Sequence, residues 1–496
     1  MLASDSPVPD SGPASWSLLR RLLFRFVFVY LVVYCLPFPL GLIPEADVVA
    51  KHFEDASNVA VTWFGSNVLG LEKNLAPFET GSGDTTRDYV TLAMYVSIAL
   101  VIAGFWSLLS VKASYPRLAD LLRTYVRFVL AFAMLRYGTG KFFGGQFPST
   151  DSIWLVSSWG ESSPMGVVWK FMYASPTYTA FTGVVECLGG LLLLSRYTTT
   201  LGAMVSAGAM LNVVMLNFCY DVPVKLYSAH LLLMAIGLLL RDVPRLTAAL
   251  VLHRSSVPPP LRLPLPMWIF VPERVVKFAL VGWLLFVIGQ STYQSWERRT
   301  APPGPLEGLY EVAEFARDGA VVPPLLTEAS RWWHVYVGKK RAQVAMTDAK
   351  TIAYYEAAVD EAQSTVTLTR RPRPDSEEQA PAPIVLRYRS EAPEASKPEV
   401  TEAAAPQSKP EAVETPAKPD QAPAAPTPAV IVPEAAPAVT PVPTPAAATP
   451  STERLLVLEG TFDGAAITVR LRKRPGDSFR LRNHGFHWIN EYPFNR

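Results

Sequence analysis

The chain has 496 residues and a formal net charge of +2. It is long enough for two or three domains, and it lacks the electrostatic footprint of a nucleic-acid binder. Cys35, Cys187 and Cys219 fall singly in apolar segments with no CxxC spacing, which argues against a disulfide scaffold, a zinc site or a dithiol redox centre.

Apolar runs dominate the first 295 residues. After a short tail, 1–19, expected to be disordered, the first run lacks a small-residue cleavage site and reads as a signal anchor. A hydrocarbon core of roughly 30 Å needs about 20 apolar residues as a helix. Seven stretches qualify or nearly do: about 22–44, 89–111, 124–143, 177–195, 199–219, 223–241 and 274–294. Residues 20–295 are therefore expected to form a polytopic helical membrane bundle of about seven spans. Arg20, Arg21 and Arg25, then Lys112, Arg117 and Arg123, then Arg196, then Arg241 and Arg245 fall on one side of it, opposite an acidic loop at 45–88. The bias of Lys and Arg sets orientation. It puts the N-terminus in the cytoplasm and everything beyond about 295 outside the cell or in the periplasm. The second outer loop, 144–176, carries Trp154, Trp159 and Trp169 and reads as short interfacial helices.

Residues 304–390 and 451–496 change character. Segments such as LYEVAEF, RWWHVYVG, RAQVAMT, STVTLTR, IVLRYR, RLLVLEG and AITVRLRKR alternate with period two. Asp318–Gly319 and Asp463–Gly464 are hairpin signals. A small antiparallel barrel or sandwich is expected, with TIAYYEAAV as either strand or helix. Between its strands, 391–450 is rich in Pro and Ala and lacks aromatics. It is expected to be a disordered insertion within a loop of the β domain. His484 and His487, three apart in a strand, would face opposite ways and share no metal.

Ionisable groups inside a bundle usually face its interior. Thr179, Thr182, Glu186 and Gly189 or Gly190 share one helical face, the pattern of a packed seam in lipid. Arg136 and Lys141 are the candidate partners of Glu186. Asn212, Asn217, Asp221, Lys225 and His230 complete a polar cluster, most of it toward one end of the bundle. Within LNFCYDVPVKLYSAH, Pro223 marks a chain reversal, Asp221 is a plausible helix cap and Lys225 can snorkel toward it. His230 lies a turn deeper. A single histidine cannot supply bis-His haem ligation, so hydrogen bonding inside the bundle, proton relay or contact with a quinone are its alternatives. No nucleophile–base–orienter arrangement emerges, so whether the chain is an enzyme stays open.

The run RFVLAFAMLRYGTGKFF, and VVECLGGLLLLSRYTTTLGAMVSAGAM after it, resemble the DoxX-like superfamily of bacterial membrane proteins over roughly 118–241. Lys141, Glu186 and Arg196 are the shared signposts. The resemblance implies a four-helix core in the bacterial inner membrane. It also implies a link to membrane redox chemistry, of which a subunit of a thiosulfate:quinone oxidoreductase is an example. On that footing the expected function is an accessory component of a redox or quinone-linked system, with a membrane oxidoreductase or a cell-envelope component as partner besides the lipid. A proton-coupled permease using Glu186 and an envelope scaffold for the β domain are the alternatives. The chain departs from small members by its extra helices, two long loops and β domain.

Overall fold

The computed structural model describes residues 15–255, 267–370, 382–391 and 454–481, apart from scattered loop positions between 41 and 80 and between 144 and 161, and at 329, 349–350, 476–477 and 480. Most of the N-terminal tail, the Pro/Ala-rich insertion beyond Glu391, and His484 and His487 lie outside the described residues.

The helical part runs α1 (Leu18–Cys35), α2 (Asp47–Asn67), α3 (Thr86–Leu109), α4 (Pro116–Phe142), α5 (Pro164–Ala174), α6 (Pro176–Leu194), α7 (Thr199–Cys219), α8 (Lys225–Leu239), α9 (Val243–Leu250) and α10 (Met267–Thr300). Starts follow the local chemistry. Thr85 and Asp88 form a capping box at α3, and proline occupies the first turn of α4, α5 and α6.

Seven spans are not supported among the described residues. By length and composition, α3, α6 and α7 can cross a membrane, and α8 with α9 makes a fourth if that pair, bent by 73°, is one span. Of the other expected spans, those in α1, α4 and α8 exist as helices but are too polar or too short, while the one at 274–294 falls within the 34-residue α10, several of whose side chains lie outside the described residues. Helix α1 packs three arginines into 18 residues, and α8 has 15 residues, against about 20 needed. Arg123, Arg127 and Arg136 interrupt α4. The acidic loop also holds a helix, α2, which the alternation of charge and small residues hid. Its Val61 packs with Leu75, Val90 and Met94, while Val59 and Trp63 are exposed.

The bundle core gathers Leu130, Ala131, Met134, Leu193, Ala203 and Ala235 from α4, α6, α7 and α8. Helices α4 and α6 approach closely because glycines face each other. A Cβ on Gly138 would sit 2.6 Å from the carbonyl oxygen of Gly183, and one on Gly183 2.5 Å from that of Gly138. Small residues at such a crossing let the backbones meet.

The C-terminal part is one antiparallel sheet that closes on itself. It comprises β1 (Gly308–Arg317), β2 (Ala320–Val321), β3 (Trp332–Val337), β4 (Arg341–Met346), β5 (Ile352–Asp360), β6 (Thr365–Arg370), β7 (Ile384–Glu391), β8 (Leu455–Phe462) and β9 (Ala465–Arg474). Sequential strands pair as a meander, and β9 returns to pair with β1. The expected choice between barrel and sandwich therefore resolves to a barrel, and TIAYYEAAV is strand β5. Asp318–Gly319 and Asp463–Gly464 both have positive φ at the two turn positions, as the two-residue hairpin requires. Phe315, Trp332, Val344, Leu386, Leu458, Val469 and Leu471 fill the interior.

Barrel and bundle touch. A single turn of 3-10 helix, Ile153–Leu155, follows α4. Its fully buried Ile153 packs against Leu309 and Ala345, with Tyr336, Ile352 and Phe479 around it. By strand alternation His334 shares the barrel face of Tyr336. His334 is 2% exposed, and neither ring nitrogen has a hydrogen-bond partner among the described residues. Burial, with a smaller contribution from Arg474, pushes its imidazole down to about 4.

Candidate functional site

The α4–α6 seam carries the first polar contact. Glu186 is buried on the face that also buries Thr179, Gly183, Gly189 and Gly190, the stripe expected from the sequence. Lys141, one turn beyond Gly138, is brought onto it by the glycine crossing and donates a hydrogen bond to Glu186 Oε1. The second oxygen, Oε2, is buried without a partner among the described residues. Arg136, the other expected partner, is exposed on the far face of α4.

The α7–α8 turn carries the second. Asn217 Nδ2 donates to Ser228 Oγ at 2.9 Å, tying the end of α7 to the first turn of α8. Asp221 takes a left-handed φ of 51° and is not the cap of α8. That role falls to Asp84, from the loop before α3. Its carboxylate accepts from the backbone N–H groups of Lys225 (2.8 Å) and Leu226 (2.9 Å). It thereby satisfies donors that an uncapped helix start leaves open. Lys225 Nζ pairs with Asp221 at 2.7 Å and lies 3.8 Å from Asp84. Asn212 is exposed on α7.

The third contact centres on His230. Its Nδ1 lies 2.6 Å from the carbonyl oxygen of Leu226. A carbonyl only accepts, so Nδ1 carries the hydrogen and Nε2 of the neutral ring is an acceptor. Tyr30 Oη, from α1, donates to Nε2 at 2.5 Å. The Tyr34 ring stacks on the imidazole with centroids 4.1 Å apart and planes at 12°. This pair of tyrosines, one turn apart on α1, holds the imidazole from two sides.

His230 lines two cavities. One, of about 310 Å³, is lined by Tyr34, Asp88, Thr91, Tyr95, Tyr137 and Tyr227, with Gly83 and Val224, the chain neighbours of Asp84 and Lys225, at its wall. The other is a groove of about 1030 Å³ between α1, α4 and α8, running from Tyr30 and His230 to Arg20, Asp120, Arg123 and Arg241. Near its charged end Arg123 donates to the Leu238 carbonyl (2.7 Å) and to Asp242 (3.1 Å), which also accepts from Thr200.

Of the expected cluster, the structure joins Lys141 with Glu186 and Asp221 with Lys225. It does not bring Asn217 and His230 to Glu186, and it leaves Arg136 and Asn212 at the surface. Tyr30, Tyr34, Asp84 and Asp242 are partners in these contacts that the polar cluster expected from the sequence does not include. A signal existed for the tyrosines: Tyr30 and Tyr34 at i, i+4 share a helix face.

No family model matches the chain, and no solved structure matches it. It is 34% identical over 117 residues to "Uncharacterized protein YwoB" of Bacillus subtilis (strain 168), a match that covers 23% of this chain and 73% of that protein.

Proposed function

The chain belongs to the same family as YwoB of Bacillus subtilis, and from that premise we propose that it is a DoxX-like accessory component of a quinone-linked redox system in the inner membrane. The bundle lies in the bilayer with its arginine-rich end in the cytoplasm. The barrel stands outside and meets a membrane oxidoreductase or another envelope component. Support for the quinone comes above all from the tyrosine-lined cavity beside His230. Its volume of about 310 Å³ falls at the small end of ligand pockets. Four tyrosine rings offer stacking surfaces for a planar head group. Their hydroxyls offer donors to its carbonyl oxygens. His230 closes the cavity with a fixed tautomer, because Leu226 holds Nδ1.

Transport through Glu186 has less support. Lys141 occupies one carboxylate oxygen, and Glu186 lines neither of the two cavities.

The test is titration of the full-length protein in lipid nanodiscs with a short-chain quinone, read by quenching of tyrosine and tryptophan fluorescence. Saturable binding is expected, weakened at least tenfold by Tyr227→Ala and by His230→Gln. Absence of saturable quenching in a preparation with native helix content overturns the proposal.

A further inference from the structure

The groove between α1, α4 and α8 is separate from the tyrosine-lined cavity and different in chemistry. Its walls are apolar, built from residues such as Phe24, Val27, Leu122, Leu233 and Met234. Charge is confined to one end, where the lining holds three guanidiniums, of Arg20, Arg123 and Arg241, against the one carboxylate of Asp120. Arg123 is already spent on Leu238 and Asp242. Arg241 lies 3.4 Å from Asp120 at the surface. The Arg20 guanidinium lies over the ring of Trp16, 4.4 Å from its centroid, a residue type that favours the head-group level. From Arg20 to Tyr30 the helix rises about 15 Å. That is roughly half of a hydrocarbon core of about 30 Å, the depth of one leaflet.

Gly237 supplies a further observation. It lines the groove, and a Cβ placed on it would meet nothing within 4 Å. Helix packing does not require glycine there, although glycine costs a helix interior about 1 kcal/mol relative to alanine. What its absent side chain provides is room in the groove.

We propose that this groove seats one acyl chain of an anionic phospholipid, whose head-group phosphate sits between Arg20 and Arg241. The match is in length, in the placement of charge and in the sign of that charge. Zwitterionic lipid fits the walls equally well and is selected against only at the arginine end.

Native mass spectrometry on the full-length protein, extracted from vesicles of equal phosphatidylglycerol and phosphatidylcholine, tests this. One phosphatidylglycerol is expected to survive removal of bulk lipid. Each arginine near a membrane surface contributes about a fivefold preference. The double variant Arg20→Gln, Arg241→Gln is therefore expected to lower the preference for phosphatidylglycerol roughly 25-fold while still retaining lipid. Gly237→Phe fills the groove and is expected to lose both lipids with an unchanged melting temperature. Equal retention of the two lipids by the wild type overturns the proposal. So does undiminished retention in Gly237→Phe, or recovery of a quinone or a stoichiometric protein in place of the lipid.

Discussion

His334 should make the barrel sensitive to mild acid. Its folded pKa of about 4 lies below the ordinary 6.5. Between those values the unfolded chain binds a proton that the folded chain refuses, so stability rises with pH across the window and is lost as pH falls through it. A shift of this size corresponds to about 3 kcal/mol over the whole window. Between pH 7 and pH 5 the loss is about 2 kcal/mol, roughly twentyfold in the opening equilibrium. Glu311 is the register partner of His334 on β1. The assay is hydrogen exchange of the amides of β3 and β4, corrected for intrinsic rates, on the intact protein from pH 7 to pH 5. His334→Phe should flatten the dependence. Wild-type protection that stays constant, or a phenylalanine variant that retains the dependence, refutes the reasoning.

Removing Lys141 alone leaves a buried carboxylate without its cation, and Lys141→Ala should lower stability by about 3–5 kcal/mol. The double variant Lys141→Met, Glu186→Leu should recover most of this, as read by thermal unfolding in detergent. Asp84→Ala strips the start of α8 of its cap and should cost about 1 kcal/mol, with faster exchange at the Lys225 and Leu226 amides. Ile153→Ala should weaken the seat of the barrel on the loop after α4 by about 2–5 kcal/mol. The expected sign is raised exchange in β3 and β4 with the bundle unchanged. Unaltered exchange at those strands would show that the turn carries no load.

Local patterns were legible and distant partners were not. The stripe through Glu186 and the choice of Lys141 as a neighbour follow from helical spacing. The hairpins at Asp318–Gly319 and Asp463–Gly464 follow from residues that accept positive φ. Barrel closure was not readable, because β1 and β9 are joined through a chain separation that no periodicity encodes. Asp84 lies some 140 residues before the helix it caps, so LNFCYDVPVKLYSAH offered Asp221 instead. Counting apolar length overestimated the spans. Arginines in α1 and α4 whose side chains are buried by neighbours, such as Arg25 on Tyr115 (2.7 Å), look in sequence like the ends of a membrane helix. Tyr30 and Tyr34 look there like ordinary apolar filling, and only the imidazole opposite gives them a role.

Strands β7 and β8 pair residue for residue from Leu386 with Gly460 to Glu391 with Leu455. The chain therefore leaves the barrel at Glu391 and re-enters it at Leu455, at adjacent points one strand spacing of about 5 Å apart. Whatever length lies between them hangs from a two-point mount on a closed wall and adds no strain to the barrel. Lengthening or replacing that stretch leaves every strand neighbour in place, since each doubling of a loop costs only about 0.6 kcal/mol. The same mount means that a protease cutting between β7 and β8 would sever the chain without dismantling the barrel. The two pieces would stay zipped along these strands.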